Sequence, residues 1–388
     1  MAGSFRRRKE TVGDLDILIT ADEGTAVMDH CVAFDEVVNV LGRGPTKCSL
    51  RLHSGLQVDI RLVPKESFGA ALHYFTGSKA HNIAVRRMGV SRNLKISEYG
   101  VFKGDRQIAG ATEAEVYAQV GLPYIEPELR EDAGEILAAQ EGCLPRLITL
   151  EEIRGDLHCH TTASDGRSTL AAMAAAAGAR GYEYLAICDH SRRLTMAHGL
   201  DAKRLREQIH RIDRLNATRR GVTILKSCEV DILEDGSLDL PDDILRELDL
   251  TVCSIHYKLD LPPAQQTARI LRAMDNPFFR ILAHPTGRLI NQRLPSDLDM
   301  GKIMRAAADR GCCLEVNAQP DRLDLSDIHC RMAREFGVKL VISTDAHRTT
   351  DLDYMRLGVA QARRGWLEAK DILNTRPLAE LKKFLQRR

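Results

Sequence analysis

Several things are missing from this 388-residue sequence, and each absence excludes a class of protein. No apolar run approaches the roughly 18 residues that a membrane span needs. Three arginines stand near the N-terminus without the apolar stretch that would make a secretory signal. The expectation is a cytoplasmic protein with no membrane partner. Charge of one sign is also missing: Lys and Arg number 55 against 54 Asp and Glu, for a net charge of +1, so total charge selects neither a polyanionic nor a polycationic partner. Local distribution must decide. The ten cysteines form no CxxC pair, and Cys188, Cys228, Cys253, Cys312 and Cys313 lie in or beside apolar runs. That placement predicts reduced, buried thiols rather than disulfides or a Cys-zinc site. No internal repeat and no low-complexity tract interrupts the chain, which is long enough for two or three domains.

Two grammars are present. Residues 15–63 are β-rich: LDILIT, VVNVL, then KCSLRLH and LQVDIRLV separated by Ser54-Gly55, a hairpin turn, which together predict a small antiparallel sheet. Residues 67–120 are mixed, and TEAEVYAQV (112–120) has the Thr cap and periodicity of a helix. Residues 121–150, rich in Pro, Glu and Gly, predict a connector. After 150 short apolar runs alternate with helical stretches such as 171–179, 199–219 and 299–310. The runs are RGDLHCH, YLAICDH, ILKSCEV, LTVCSIH, RILAHP, CLEVNA and LVISTDAH, seven β/α units in series. Continuous apolar strands separated by helices predict a parallel sheet covered on both faces, and seven of them a closed or nearly closed barrel. The fold class is therefore α/β, a small mixed α+β region followed by a (β/α)7 barrel.

Nearly every barrel run ends in a group able to bind metal: His158 and His160, His190, Glu229, His256, His284, Asp345 and His347. The carboxyl ends of parallel barrel strands converge on one face, so these residues should meet there. With Asp165 the set has nine members, mixed imidazole and carboxylate, which suits Zn²⁺, Mn²⁺ or Fe better than Ca²⁺ or Mg²⁺ alone. One histidine at a strand end is an ordinary satisfied polar group; the same ending on strand after strand is not a coincidence of placement. His198, His210 and His329 fall outside the pattern and are expected to be surface residues. Arg288, in AHPTGR, is either a surface residue or a bidentate phosphate clamp.

A second constellation stands upstream. Asp14 and Asp16 are i and i+2 in a predicted strand, so both carboxylates face one side. Asp59 on a neighbouring strand would complete a triad, an oxygen-rich site for a pair of Mg²⁺ or Mn²⁺ ions of the kind nucleotidyl transfer requires. Gly3-Ser4 and Arg7 precede it, a turn with exposed N–H groups and a fork of donors for triphosphate oxygens. The strip Arg6 to Lys9 with Arg86 and Arg87 could track a phosphate backbone, and Lys382-Lys383 and Arg387-Arg388 are expected to be solvated charge.

The motifs HCHTTASDG, CDHS, CEVD, SIH, AHPTGR, LEVNA and STDAH resemble the successive motifs of the PHP (polymerase and histidinol phosphatase) family over about 151–388. That resemblance implies a trinuclear centre of Mn²⁺ (or Zn²⁺ or Fe) and phosphoester hydrolysis. It assigns His158, His160, Glu229 and Asp345 to one metal, Glu229 with His256 and His284 to a second, and Asp165, His190 and His347 to the third. GSFRRRKETVGDLDIL, VDIRLVP, YFTGSKAHN and YIEPELRE are similar to the palm and C-terminal subdomain of family X DNA polymerases over about 3–130. Together the two halves resemble the bacterial PolX family. The resemblance implies a metal-binding triad of Asp14, Asp16 and Asp59. It also implies phosphate contacts from Gly3, Ser4, Arg7 and Gly13, a sugar pocket of Tyr74, Phe75 and Gly77, and Asn82 and Arg86 beside the nascent base pair.

The implied domains are a palm (1–66), a thumb-like subdomain (67–130), a linker (131–150) and the PHP domain (151–388). Implied partners are dNTPs and DNA with gapped or primer-template ends, and a monomer is expected. Family members carry a lyase-like domain and fingers ahead of the Gly-Ser turn, where this sequence has two residues. The expectation is therefore a truncated N-terminus that impairs polymerisation but not the 3'-5' exonuclease. Two alternatives compete, a histidinol-phosphatase-like small-molecule phosphatase and a non-catalytic DNA-binding module.

Overall fold

A computed structural model describes residues 1–218 and 221–386. Arg387 and Arg388, and Arg219 at the end of the predicted helix, lie outside the described residues, while Lys382 and Lys383 are exposed. The chain divides into two compact units, Met1–Pro145 and Arg146–Arg388. No helix among the described residues is long and apolar enough to cross a membrane.

The first unit opens with four strands: β1 (Asp14–Ile19), β2 (Val37–Arg43), β3 (Lys47–Leu52) and β4 (Gln57–Leu62), in the order β1-β4-β3-β2. The expected hairpin joins β3 to β4, and β2 pairs antiparallel to β3, but β1 runs parallel to β4. The sheet is thus mixed and not wholly antiparallel. The cause is helix Gly24–Val32, which carries the chain out of the sheet between β1 and β2; it has no side-chain cap, so its start left no signal in the sequence. Met28 from this helix packs on Cys48, Leu50, Val58 and Ile60. The parallel register sets Asp16 directly opposite Asp59.

Helices Phe68–Thr76 and Lys79–Val90 follow, the second capped by Ser78, whose hydroxyl accepts from the His81 amide. A small antiparallel sheet, β5 (Lys95–Ser97), β6 (Gly100–Lys103) and β7 (Arg106–Ala109), leads into helix Glu113–Gln119, capped as predicted by Thr112. Residues 131–145 are more than connector. Helix Glu135–Gln140 belongs to this unit, because buried Glu135 is 2.6 Å from His81 Nδ1 and accepts from the Asp132 and Ala133 amides. A buried carboxylate needs such partners, and they hold the segment in place.

In the second unit the strands are β8 (Gly155–Cys159), β9 (Tyr184–Ile187), β10 (Thr223–Lys226), β11 (Glu229–Asp231), β12 (Val252–Ser254), β13 (Ile281–Leu282), β14 (Cys313–Asn317) and β15 (Leu340–Ser343). Every pairing is parallel. β10 and β11 are one strand broken at Ser227-Cys228, β10 pairing with β9 and β11 with β12, so the seven predicted runs form seven barrel positions. A bridge between Cys159 and Ala346 joins β8 to the end of β15. Lower down, the Asn374 amide donates to Gly155 and Ile342 carbonyls, each at 2.8 Å. The interior holds Tyr184, Ala186, Cys188, Leu225, Val252, Ile281, Ala283, Cys313 and Val341, with Leu381 and Leu385 of the last helix in the same cluster. Cys188, Cys228, Cys253, Cys312 and Cys313 are buried free thiols.

Candidate metal centre and nucleotidyl-transfer site

Period-2 alternation explains how the barrel strands deliver their ligands. Apolar interior positions continue upward in steps of two from Cys188 to His190, from Leu225 to Glu229, from Val252 to His256 and from Val341 to Asp345. His284 breaks the rule, since Ile281 and Ala283 already fill the interior column, and so do His158 and His160, out of step with interior Leu157 in β8, whose pairing with β9 is irregular between Asp156 and Cys159. The φ of His284, 26°, turns the backbone out of strand geometry, and Asp345 also sits at positive φ, 51°. Such conformations are costly and recur where side chains are aimed for function.

Glu229, almost wholly buried, is the hub. Its Oε2 lies 3.4 Å from His158 Nε2, 3.5 Å from His160 Nε2 and 2.8 Å from His190 Nδ1. Its Oε1 is 3.0 Å from His284 Nε2 and 3.3 Å from His256 Nε2. Asp345 Oδ1 is 3.1 Å from His160 Nε2 and 3.7 Å from both His158 Nε2 and His347 Nδ1. Asp165 Oδ2 is 3.4 Å from both His190 Nε2 and His347 Nε2. All nine sequence-predicted ligands therefore join one cluster. Within it, three groups have mutually close ligand atoms: His158, His160 and Asp345; His190, Glu229 and His256; and His160, Asp165, His190 and His347. His190 and His160 thus each serve two groups, a sharing wider than the sequence suggested. His198 and His210 are exposed and His329 is half-buried, away from these groups.

The donor chemistry fits cations. The Nε2 atoms of His158 and His160 face one another at 3.1 Å. The buried Nδ1 atoms of His160 and His190 have no hydrogen-bond partner; His190 Nδ1 is close enough to Glu229 for an ion pair but out of line for a hydrogen bond. Separations of 3.1 to 3.7 Å around His158, His160, Glu229 and Asp345 are those of atoms held about 2 Å from a shared ion. Electrostatics agree. Burial penalises the imidazolium of His190, but Glu229 and Asp165 outweigh it and raise the ring to about 10. His256 and His347 rise to about 9 against the same penalty, through Glu229 and Asp231 and through Asp165 and Asp345 respectively. Glu229 and Asp345, buried but ringed by imidazoles, are held well below the usual carboxylate range. His160 falls to about 3, from burial first and then from the stacked rings of His347 and His190.

Sequence reasoning missed the residues that hold these ligands. Glu315, fully buried, lies 2.7 Å from His158 Nδ1 and accepts from the His284 amide at 2.7 Å. Asp231 is 3.1 Å from His256 Nδ1, and the Asn317 amide donates to Asp345. Asp189 accepts from Thr161 and Ser164 and so fixes the loop leading to Asp165. A signal existed: Glu315 and Asp231 are acidic residues on interior-facing positions of buried strands, which is affordable only beside donors or cations.

Arg288 is not placed as a bidentate clamp. Its Nε donates to the Arg322 carbonyl at 2.9 Å and Nη2 to the Leu323 carbonyl, so the fork is spent on a loop.

The upstream site is looser. Asp14, Asp16 and Asp59 sit together at one end of β1 and β4, but among the described residues every group of three ligands with mutually close atoms belongs to the barrel. Asp59 is held by Ser49 Oγ and, at 3.1 Å, by Gln57 Nε2. Half-burial, then repulsion from Asp14 and Asp59, raises the Asp16 carboxyl above its usual range. A cation between the three would relieve that repulsion. Gly3 begins a single helical turn whose backbone is pinned by the Ala2 amide on the Asp16 carbonyl at 2.7 Å; a Cβ on Gly3 would run into the Asp16 carboxylate. Ser4 is half-buried on that turn and Gly13 exposed just ahead of β1.

Arg6 and Arg7 do not form part of a free basic strip. Arg6 makes a two-pronged pair with Glu113 at 2.8 and 2.6 Å; Arg7 donates to Glu131 at 3.1 Å and to the Thr76 carbonyl, beside Gly77. Arg6 is drawn inward because Glu113 is buried and needs cations, which Arg130 also supplies. Tyr74 and Phe75 meet edge to face at 5.1 Å, with Arg61 over Phe75 at 4.3 Å. Asn82 donates to the Tyr74 carbonyl at 2.7 Å, while its buried Oδ1 has no partner; Arg86 and Arg87 are exposed.

Against known proteins, the family models for the DNA polymerase beta palm match residues 1–65, for the DNA polymerase beta thumb residues 71–131 and for the PHP domain residues 156–286. The chain is 43% identical over 390 residues to the DNA polymerase/3'-5' exonuclease PolX of Bacillus subtilis (strain 168), covering 100% of this chain and 68% of that protein. It is 29% identical over 246 residues to a probable phosphatase of Thermoanaerobacter sp. (strain X514), covering 60% of this chain and 94% of that one. Among solved structures, a Leishmania infantum polymerase beta ternary P/T complex matches with a TM-score of 0.31 and 25% identity over 34% of this chain and 66% of its own.

Proposed function

Because the chain belongs to the PolX family of DNA polymerase/3'-5' exonucleases, whose palm, thumb and PHP domains use divalent metal ions, we propose a role for each of its sites. The barrel removes nucleotides from DNA 3' ends, and the palm adds them from dNTPs at gaps or primer ends. The observation that carries the first half is the convergence of all nine ligands around buried Glu229.

In the barrel, His158, His160, Glu229 and Asp345 would hold one transition metal, Mn²⁺ or else Zn²⁺ or Fe. Glu229 with His256 and His284 would hold a second, and Asp165, His190 and His347 a third. Bound metals supply charge neutralisation of the phosphate, a water of lowered pKa and stabilisation of the leaving oxygen. The chain's own residues supply aim. Glu315 takes the Nδ1 side of His158 and Asp231 that of His256, so that in each ring Nε2 is the atom facing the centre. Asn317 orients Asp345, and the surrounding imidazoles keep the carboxylates ionised against their burial.

In the palm, Asp14, Asp16 and Asp59 would hold a Mg²⁺ or Mn²⁺ pair. Gly3, Ser4 and Gly13 lie along the edge where a triphosphate would approach, and Tyr74, Phe75 and Gly77 would border the sugar. Asn82 and Arg86 would stand near the base pair. Arg7 reaches a phosphate only by leaving Glu131. Gly3 supports this reading, since only a residue without Cβ lets the turn close on Asp16.

The test is a gel of 5'-labelled primer in a one-nucleotide-gapped duplex with Mn²⁺, with and without dNTPs. Shortening without dNTPs and lengthening with them is the expected result. An unchanged primer in both lanes would refute both assignments.

A further inference from the structure

A cavity of about 440 Å³ opens beside the metal cluster, sharing Asp165, Asp345 and His347 with it, and its remaining wall carries Arg167, Arg322 and Arg348. Arg348 is spoken for, its Nε donating to Asp351 at 2.7 Å. The other two guanidiniums are not. Arg167 is exposed and makes no ion pair among the described residues. Arg322, half-buried, comes no nearer to a carboxylate than 4.0 Å, from Asp345, whose charge the metal centre would claim. Arg293 stands close enough for Arg322 to depress it, after burial, below the usual guanidinium range. Of the four aspartates in the wall, Asp165 and Asp345 belong to the ligand cluster and Asp351 to Arg348, so Asp321 alone is left to answer Arg167 and Arg322, which suits an incoming anion.

The loop bearing Arg322 is built to be rigid. Arg288 grips its carbonyl; Asp324 accepts from the Thr286 and Gly287 amides, each at 2.9 Å; the Gln319 amide donates to the Thr344 and Asp345 carbonyls at 2.9 and 2.7 Å. These bonds tie the loop to the same backbone that presents Asp345. Arg288 therefore positions the backbone that carries Arg322.

Resting on the nuclease reading above, we propose that Arg322 and Arg167 form a second phosphate subsite, which binds the internucleotide phosphate adjoining the scissile one. The barrel then selects a polynucleotide strand over a phosphomonoester, because only a strand carries a phosphate at that position.

The test uses the full chain with Mn²⁺ and a 5'-labelled single-stranded oligonucleotide, natural or with one neutral methylphosphonate at the linkage next to the 3'-terminal one. For the natural enzyme that replacement should lower kcat/KM roughly ten- to a hundredfold, the worth of a charge-assisted hydrogen bond, while a methylphosphonate four linkages away should not. Arg322→Ala should lose a similar factor on the natural strand, chiefly in KM, and less than about twofold more on the modified one. Arg167→Ala, at an exposed position, gives the same non-additivity in smaller measure should Arg322→Ala prove unstable. Losses that multiply, or a modified strand cut as fast as the natural one, would overturn the subsite. So would an Arg322→Ala protein short of metal, which would make Arg322 a buttress of Asp345. An unmodified strand left intact by the natural enzyme would instead remove the nuclease reading, and the subsite with it.

Discussion

The two sites of this chain differ in who assembles them. In the barrel, the ligands come from six strand ends and one loop, most are buried, and an outer ring of Glu315, Asp231 and Asn317 holds the inner one in place. In the palm the three aspartates share two strands, are half-exposed, and one is held aside by Ser49 and Gln57. In the function proposed above, the fold would complete the first site before any metal arrives and leave the second for metal and nucleotide to draw together. Preorganised charge is expensive to bury and quick to use, whereas a loose cluster costs little in the fold and depends on its substrate.

The sharpest way to break the comparison is to remove inner ligands. His158→Ala with His160→Ala should cut 3'-end removal by at least a hundred- to a thousandfold, since several kcal/mol of charge stabilisation go with the metals and each 1.36 kcal/mol is tenfold. The barrel should keep its far-UV circular dichroism, while thermal unfolding of the metal-free protein should come earlier, because buried Glu315 loses its partner His158. Cleavage at the natural rate, read on the primer gel, would overturn the ligand assignment. Asp14→Asn with Asp16→Asn is the mirror experiment: nucleotide addition should vanish and cleavage stay as it was. Equal loss of both activities would mean that the sites are not independent.

A smaller effect tests preorganisation itself. Glu315→Gln keeps the shape but loses the carboxylate beside His158 Nδ1, and should weaken manganese binding about ten- to a hundredfold, with cleavage restored at higher Mn²⁺. Loss that no metal concentration restores would make Glu315 part of the chemistry rather than of the scaffold. In the palm, by contrast, Gln57→Ala should alter the metal requirement for nucleotide addition by no more than a few fold.

How far the sequence could be read follows the same divide. The barrel was legible because repetition made it so: six of seven runs ended in a candidate ligand, and the carboxyl ends of parallel strands share one face. The partners behind the ligands were not, since Glu315 and Asp231 look like any acid in a run until burial is known. In the palm the Asp14-Leu15-Asp16 stretch and Asp59 announced themselves, but not the parallel pairing of β1 with β4, which depends on an uncapped helix of nine residues. Arg6, Arg7 and Arg288 misled for one reason: an arginine suits a buried carboxylate or a carbonyl as well as a phosphate, and only the fold shows which it meets.

The mildest prediction sets the histidines of the two units against each other. His73, buried in the first unit, is held down to about 3 by burial and then by Arg130. Its folded value lies below the unfolded one of 6.5, so the unfolded chain binds more protons between them and stability falls as pH drops through that window. At pH 5 this is about 2 kcal/mol, by the rule of 1.36 kcal/mol per unit. Glu113, lowered to about 2 because Arg6 and Arg130 outweigh its burial, adds a loss in the same direction below 4.5. In the metal-free barrel His160, also held down to about 3, carries the same sign, but three other rings oppose it. His190, His256 and His347 are raised to about 10, 9 and 9, so the stability they lend is full below 6.5 and disappears as pH rises through those values. Amide exchange with chelator present, corrected for intrinsic rates, should therefore show protection of helix Lys79–Val90 falling roughly thirtyfold from pH 7 to 5 while the barrel strands hold. His73→Leu should flatten the first response and leave the second. A parallel decline in both units, or a slope that His73→Leu does not change, would show that charge is held in the two folds by the same means after all.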